Sequence, residues 1–329
     1  VGTLSRDEPL SANIVAAAGQ KDYLSQFGGK VSWSAEDQHG RNPVATALLT
    51  DVVQVIDDVT PESVMDPLGS QAVDFGFGTC IAIPFAPGGR KSVLVVYARP
   101  TFVSTQVRLQ GLQDVAREVE VGVAHLESSR RLELALAGTL QSLGKVTEVR
   151  DPYTAGHQSE VGSLSAAIAT HLGLDRKLIT LIRQSGEVHD LGKVAIPSEI
   201  LNKPGRLSAL EFEIVKGHTT VGFEILSKAS LPWPIAEVAL QHHERLDGSG
   251  YPNGLRANEI IQPALIIAVA DVVDAMTQHR PYRPGHGLDA ALSEVGSGAG
   301  KLYDSDVVEA CLAVFKNGFT FESHLVPEP

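Results

Sequence analysis

Only two cysteines occur in 329 residues, Cys80 and Cys311, far apart and each in apolar surroundings. That rules out a disulfide framework and fits a reducing compartment, so a cytoplasmic protein is expected. A basic excess is also lacking: 27 Lys and Arg face 39 Asp and Glu, for a formal net charge of −12. Non-specific binding to a nucleic-acid polymer needs a basic face, and that class is set aside. A small phosphorylated ligand stays open, because bound divalent cations reverse the local field. No apolar run reaches the ~18 residues that a membrane span requires. The longest candidate, 264–276, is interrupted by Asp271 and Asp274. No basic-then-apolar signal peptide opens the chain, and Val1 in place of methionine predicts a start inside a longer protein. Low-complexity tracts and internal repeats are missing too.

What remains is an ordinary globular composition, 43% apolar and 20% charged, with length enough for two cores. The first hundred residues read as α/β. Cys80-Ile-Ala-Ile-Pro-Phe85 and Lys91-Ser-Val-Leu-Val-Val-Tyr97 are strand-like runs joined by a Gly-Gly turn ending at Arg90. A short helix is expected over 42–50 and a further strand over 51–56. From 104 to 149 the pattern becomes helical. Leu112, Val115, Val119, Val123 and Leu126 follow three- and four-residue spacing; the stripe shifts phase near 128–131 and resumes through Leu132, Leu136, Leu140 and Leu143. This segment predicts a parallel homodimer helix that passes a signal, against the alternative of a helix folded onto its own domain. Beyond Asp151-Pro152 the chain reads as helix and loop only. Ser208-Ala-Leu-Glu211 is a capping box and Pro263 suits the first turn of a helix over 264–278. The expected organisation is therefore multidomain: an α/β domain over 1–103, a connecting helix over 104–149, an all-α domain over 150–320 and a tail over 321–329.

Two dense histidine signals stand in the helical half, Val-His189-Asp190-Leu-Gly-Lys193 and Gln-His242-His243-Glu-Arg-Leu-Asp-Gly-Ser-Gly250-Tyr251-Pro252. Adjacent His-Asp and His-His pairs point to a metal centre with more than one ion. Neutral imidazole and carboxylate suit first-row transition metals, and one carboxylate can bridge two ions. Asp271 lies in an apolar helix, where an unpaired carboxylate costs several kcal/mol, so a metal or an arginine must compensate it. Asp274 is three residues on, hence on the same face. Arg280 and Arg283 share that spacing and either clamp a phosphate or cap the helix end. His39, His125, His171, His279, His286 and His324 lack partner spacing and read as surface or core residues.

The order His157, His189-Asp190, Asp271 is similar to the ligand order of the HD phosphohydrolase superfamily. With Asn202-Lys-Pro-Gly205, His218, His242-His243 and Gly250-Tyr251-Pro252 added, residues 150–315 closely resemble the HD-GYP cyclic dinucleotide phosphodiesterases. The resemblance implies an all-helical HD-type domain that hydrolyses cyclic di-GMP or 3′,3′-cyclic GMP-AMP. It implies one ion on His157, His189, Asp190 and Asp271, and a second on His218, His242 and His243 with Asp190 bridging. Two divalent transition-metal ions, iron or manganese, would then generate a bridging hydroxide, with linear pGpG as first product and GMP after a second hydrolysis. Asp190 and Lys193 become the catalytic residues, and Lys193, Tyr251, Asp274, Arg280 and Arg283 the substrate contacts. In the same family the Gly-Tyr-Pro segment docks a diguanylate cyclase; a turn that shapes the pocket mouth is the plainer reading.

Two departures from the family pattern matter. Tyr153 stands where some members place a glutamate for a third metal, so two ions are expected. The segment before the His-Asp pair reads Gln184-Ser-Gly-Glu187, where Gly186 should weaken the helix by up to about 1 kcal/mol and Glu187 is expected to face solvent. The N-terminal half resembles a GAF sensor domain through Ala16-Ala-Ala-Gly19, Gly40-Arg-Asn-Pro-Val44, the 51–56 strand and Gly78-Thr-Cys-Ile-Ala-Ile-Pro84. Its ligand is not named by any residue, and Cys80 reads as core. A catalytically silent scaffold that binds a cyclic dinucleotide is the rival from outside enzymology; the complete ligand set argues against it.

Overall fold

The computed structural model describes residues 1–4, 11–19, 22, 30–32, 42–60, 68–151, 156–229, 231, 234–278 and 286–321. The chain divides into two compact units, Val1–Glu133 and Leu134–Pro329.

The first unit is built on a six-stranded antiparallel sheet of order β3-β2-β1-β6-β5-β4. Its strands are β1 (Gly2–Leu4), β2 (Ser11–Ile14), β3 (Lys30–Ser32), β4 (Gln54–Ile56), β5 (Thr79–Phe85) and β6 (Ser92–Ala98). The expected hairpin is β5–β6, in register from Thr79 opposite Ala98 to Phe85 opposite Ser92. Its turn needs two left-handed residues, and Gly88 (φ 60°) and Gly89 (φ 77°) adopt them without a Cβ penalty. Side chains of β5 alternate between two cores. Cys80 and Ala82 pack with Val44, Ala45, Ala47 and Leu48 of helix α1 (Pro43–Thr50), while Ile81, Ile83 and Phe85 pack with Leu109, Leu112 and Ala116. Asn42 caps α1 by accepting from the Ala45 N–H at 3.0 Å. The strand expected over 51–56 is shorter, because Asp51 ends α1 in a left-handed conformation (φ 59°) and extended backbone resumes only at Gln54. Helix α2 (Leu68–Asp74) completes the unit.

Helix α3 (Gln106–Arg150) contributes to both units. Leu112 belongs to a core of the first unit, and Leu136 and Leu140 belong to one of the second with Val188, Leu191, Leu226 and Ile235. The stripe expected to face one partner is therefore divided. Val115, Val119, Leu126 and Leu132 are left exposed, and Leu112 and Leu140 serve their own units.

The second unit is all-helical, with no strand among its described residues. Its helices are α4 (His157–His171), α5 (Arg176–Val188), α6 (Ser198–Leu201), α7 (Ala209–Lys216), α8 (His218–Ser227), α9 (Ile235–Gln241), α10 (Gln262–Thr277), α11 (Leu288–Ser297) and α12 (Ser305–Lys316). Local signals set several starts. Asp175 caps α5, Asp304 caps α12, the Ser208/Glu211 capping box opens α7, and Pro263 lies in the first turn of α10. Helix α10 is the central element, buried from Ile266 through Asp271, and it packs with Val161, Leu164 and Ile168 of α4 and Val307, Val308 and Cys311 of α12.

Gly186 is where α5 meets α4. A Cβ on it would lie 2.8 Å from the Gly162 Cα and 2.9 Å from its nitrogen. Glu187 corrects the sequence expectation: it is 7% exposed, paired to Arg183 at 3.3 Å, with its stem against Gly162. Burial pushes its carboxyl pKa up, opposed by Arg183. The helical period left Glu187 free to face solvent; the close crossing with α4 covers it. Gly186→Ala should therefore destabilise the unit. A propensity gain of about 1 kcal/mol is outweighed by overpacking of about 1–3 kcal/mol. Urea unfolding of metal-free protein should show a lower midpoint, and a higher midpoint would contradict the packing account.

Candidate metal centre

Every histidine of the cluster stands at a helix end. His157 opens α4, His189 follows the last residue of α5, His218 opens α8 directly after α7, and His242-His243 follow α9. The last carbonyls of a helix have no intrahelical partner. Here three of them accept an imidazole N–H: Gly186 O from His189 Nδ1 at 2.7 Å, Val215 O from His218 Nδ1 at 2.6 Å and Ala239 O from His242 Nδ1 at 2.9 Å. A carbonyl only accepts, so Nδ1 carries the proton and Nε2 presents a bare lone pair. His157 is held the same way by a carboxylate, its Nδ1 lying 2.5 Å from Asp274 Oδ2.

These lone pairs converge on Asp190 and Asp271. The Asp190 Oδ1 lies 3.3 Å from His218 Nε2 and 3.9 Å from His242 Nε2. Its Oδ2 lies 3.5 Å from His189 Nε2, 3.7 Å from His157 Nε2 and 2.6 Å from Lys193 Nζ. Asp271 Oδ1 is 3.3 Å from His157 Nε2, and Oδ2 is 3.9 Å from His243 Nδ1. The donors fall into two groups, each able to converge on an ion: Asp190, His218, His242 and His243, and His157, His189 and Asp271. One carboxylate, Asp190, faces both groups with a different oxygen towards each.

The donor set fits divalent cations on two counts. His189 Nε2 is fully buried and has no hydrogen-bond partner among the described residues, an arrangement that costs about 1–3 kcal/mol unless something electron-poor lies against it. His218 Nε2 and His242 Nε2 face each other at 3.4 Å with both protons committed elsewhere, so two lone pairs oppose without a hydrogen between them. A cation relieves both. Neutral imidazoles are what it needs, and burial supplies them at His218, His242 and His243. Burial drives His242 well below the usual imidazole range, lowers His218 against the pull of Asp190, and takes His243 down to about 3. Burial opposes charge on His157 as well, but hydrogen bonds to Asp190, Asp271 and Asp274 outweigh it and raise its pKa. For Asp190 and Asp271 burial favours the neutral acid; Lys193 and the imidazoles around Asp190, and His157 with its neighbours around Asp271, hold both carboxyls well below their usual range.

Asp274, carried over from the resemblance as a substrate contact, is 1% exposed and lies behind His157, where it orients that ring. Tyr251 lies at the open side, its ring centroid 4.8 Å from that of His243. Tyr153, His279, Arg280 and Arg283 lie outside the described residues, as do His39 and His324. His125, His171 and His286 are exposed and join neither group. Two residues escaped the sequence reading. Asp151 is buried with Oδ2 3.9 Å from Lys193 Nζ, and Glu244 is buried, accepting from the N–H groups of Asn253 and Leu255 at 2.7 and 2.9 Å, which ties down the Gly250–Pro252 turn. Adjacency to His243 was the one available signal for Glu244; Asp151 had only its place six residues before His157.

Residues 146–307 match the family model described as "HD domain". The helical unit is an HD-type domain. Among curated relatives, this chain is 48% identical over 179 residues to a cyclic di-GMP phosphodiesterase of Thermotoga maritima, covering 54% of this chain and 49% of the relative. It is 36% identical over 209 residues to the cyclic di-GMP phosphodiesterase response regulator RpfG of Xanthomonas campestris pv. campestris, covering 63% and 55%. It is 38% identical over 152 residues to the 3′3′-cGAMP-specific phosphodiesterase 3 of Vibrio cholerae, covering 46% and 33%. The chain thus spans about half the length of the first two relatives and a third of the other.

The pKa of His243 generates a test. Between the ordinary value near 6.5 and about 3, the unfolded chain takes up a proton that the folded chain refuses, so this residue lowers stability as pH falls through that window. Metal-free His243→Gln protein should lose less stability than the parent between pH 7 and pH 5 in urea titrations. Equal losses would contradict the burial argument.

Proposed function

We propose that the HD-type domain is a metal-dependent phosphodiesterase of cyclic di-GMP. The observation that carries this reading is Asp190, whose two oxygens face two separate sets of bare ring nitrogens while Lys193 closes on one of them. His157, His189, Asp190 and Asp271 would hold one ion, and Asp190, His218, His242 and His243 the other. Two divalent first-row ions, iron or manganese by donor type, would supply Lewis acidity and a water acidified enough to attack phosphorus near neutral pH.

The protein's own groups do the rest. The ring nitrogens stay fixed because helix-end carbonyls and Asp274 hold their far sides. Lys193 is cationic: burial disfavours its charge, but Asp190 and Asp151 outweigh burial and raise its pKa. Its ammonium offers hydrogen bonds to a non-bridging phosphate oxygen as charge builds there. The water oxygen joins phosphorus, the bond to the 3′ oxygen breaks, and that oxygen leaves with a proton. The product is linear pGpG, and GMP requires a second hydrolysis.

The name of the Vibrio cholerae relative supports 3′,3′-cyclic GMP-AMP as the alternative substrate. The small antiparallel sheet flanked by α1 is compatible with a GAF-like regulatory unit whose ligand is unknown. The exposed Val115, Val119, Leu126 and Leu132 support a homodimer through α3, and the Gly250–Pro252 turn is offered for a diguanylate cyclase. A cytoplasmic setting agrees with two buried free cysteines and with the lack, among the described residues, of a helix long and apolar enough to cross a membrane.

Chromatography of cyclic dinucleotides incubated with manganese- or iron-loaded protein tests the reading. Conversion of cyclic di-GMP to pGpG is expected, and Lys193→Met should slow it by about 100-fold or more with metal content retained. Inertness of the loaded parent protein towards cyclic di-GMP and cyclic GMP-AMP alike would overturn the proposal.

A further inference from the structure

Beside the metal cluster, on its open side, lies a group of side chains that the chemistry above does not use. Phe212 and Lys216 are four residues apart on α7, hence on one face. Phe212 is 46% exposed, which leaves part of its ring open to a ligand. Its ring meets that of Tyr251 edge-on, at 6.4 Å between centroids and 78° between planes. Tyr251 in turn lies against His243, a member of the cluster with a 20% exposed side chain. The Lys216 ammonium sits over both rings, 5.1 Å from the centroid of Phe212 and 5.4 Å from that of Tyr251. The sequence runs continuously from buried ring nitrogens to His243, then Tyr251, then Phe212, with one cation above the outer pair.

We infer that Phe212, braced edge-on by Tyr251 and with Lys216 beside it, forms a base-stacking platform that receives one purine of the cyclic dinucleotide while its phosphate meets the metal cluster. An exposed aromatic face gains from stacking on a nucleobase whatever its sequence, and a cation at its edge strengthens contact with an anionic nucleotide. Lys216 now pairs with Glu213 at 2.7 Å, but Glu213 is 65% exposed. Such a surface pair contributes little and exchanges readily for a phosphate oxygen. The turn carrying Tyr251 is held by Glu244, and Tyr251 N–H donates to His243 O at 3.3 Å, so the ring is placed before any base arrives.

The inference rests on the phosphodiesterase reading for its ligand, and the test keeps the two apart by measuring binding without turnover. Metal-loaded full chain is titrated calorimetrically with the phosphorothioate analogue of cyclic di-GMP, and hydrolysis of cyclic di-GMP is followed separately. Phe212→Leu should weaken binding about tenfold, equivalent to about 1.4 kcal/mol, and raise KM in step, with kcat and metal content unchanged. Phe212→Trp should restore both, because it returns an aromatic face that leucine lacks. Lys216→Met should weaken binding at low salt and progressively less at high salt. Unchanged affinity in Phe212→Leu, or a Phe212→Trp variant as weak as the leucine one, would overturn the platform, the latter by showing a packing role. Binding that depends on Phe212 in a protein that hydrolyses nothing would keep the platform and remove the phosphodiesterase reading. Absence of binding by the parent protein would overturn the platform.

Discussion

The carbonyls of Gly186, Val215 and Ala239 each end a helix and each hold one imidazole N–H. This one kind of hydrogen bond determines much of what the helical unit can do. It satisfies backbone groups that a helix end would otherwise leave bare, and in the same act it sets the tautomer of His189, His218 and His242. Three Nε2 lone pairs are thereby pointed at one buried aspartate, with His157 brought in by Asp274 from the central helix. Such a concentration of buried ring nitrogens and carboxylates is an arrangement that bound cations would stabilise. The fold supplies the frame for this: close glycine contacts between α4 and α5, and the abutment of Gly192 on His218 O, bring the helix ends within reach of each other.

How much of this was legible in the sequence depended on how local each cause is. The His-Asp and His-His pairs, His157, His218 and Asp271 stood out because few residue types serve a transition metal, and the structure brings all seven donors into two adjacent groups. Caps at Ser208 and Pro263 were legible because they act within one turn. Glu187 was not, because its burial comes from helices distant in sequence: a Cβ at Gly144 of α3 would strike the Glu187 carbonyl oxygen, and Gly162 of α4 lies against its stem. The contact of Asp274 with His157 was hidden for a related reason. Sharing a face with Asp271 put it near the site, but only the position of α4 decides that it meets the Nδ1 of His157. The stripe on α3 mixed two signals, since residues that pack into two different cores alternate with residues left exposed. Phe212 and Lys216 had no distinguishing pattern at all. On sequence alone they are two residues of an amphipathic helix, and their meaning comes from the turn that sets Tyr251 beside them.

The division of labour inside the site follows from depth. His157, His189, His218, His242 and Asp190 lie at 2% exposure or less, where water cannot compete for their lone pairs. Lys193, His243 and Tyr251 lie between that dry centre and the surface, where a charged ligand can still reach them. Asp151, the residue next to the end of α3, stands near Lys193 from the far side. That contact brings the end of the long helix close to Lys193.

The central claim is that Asp190 joins two cations through its two oxygens. Elemental analysis of protein purified without chelator, together with anomalous diffraction at the metal edge, tests it most directly. The account predicts two ions per chain, one on each side of Asp190, and loss of both occupancies in Asp190→Ala. A single ion, or two ions that persist unchanged in Asp190→Ala, would contradict it.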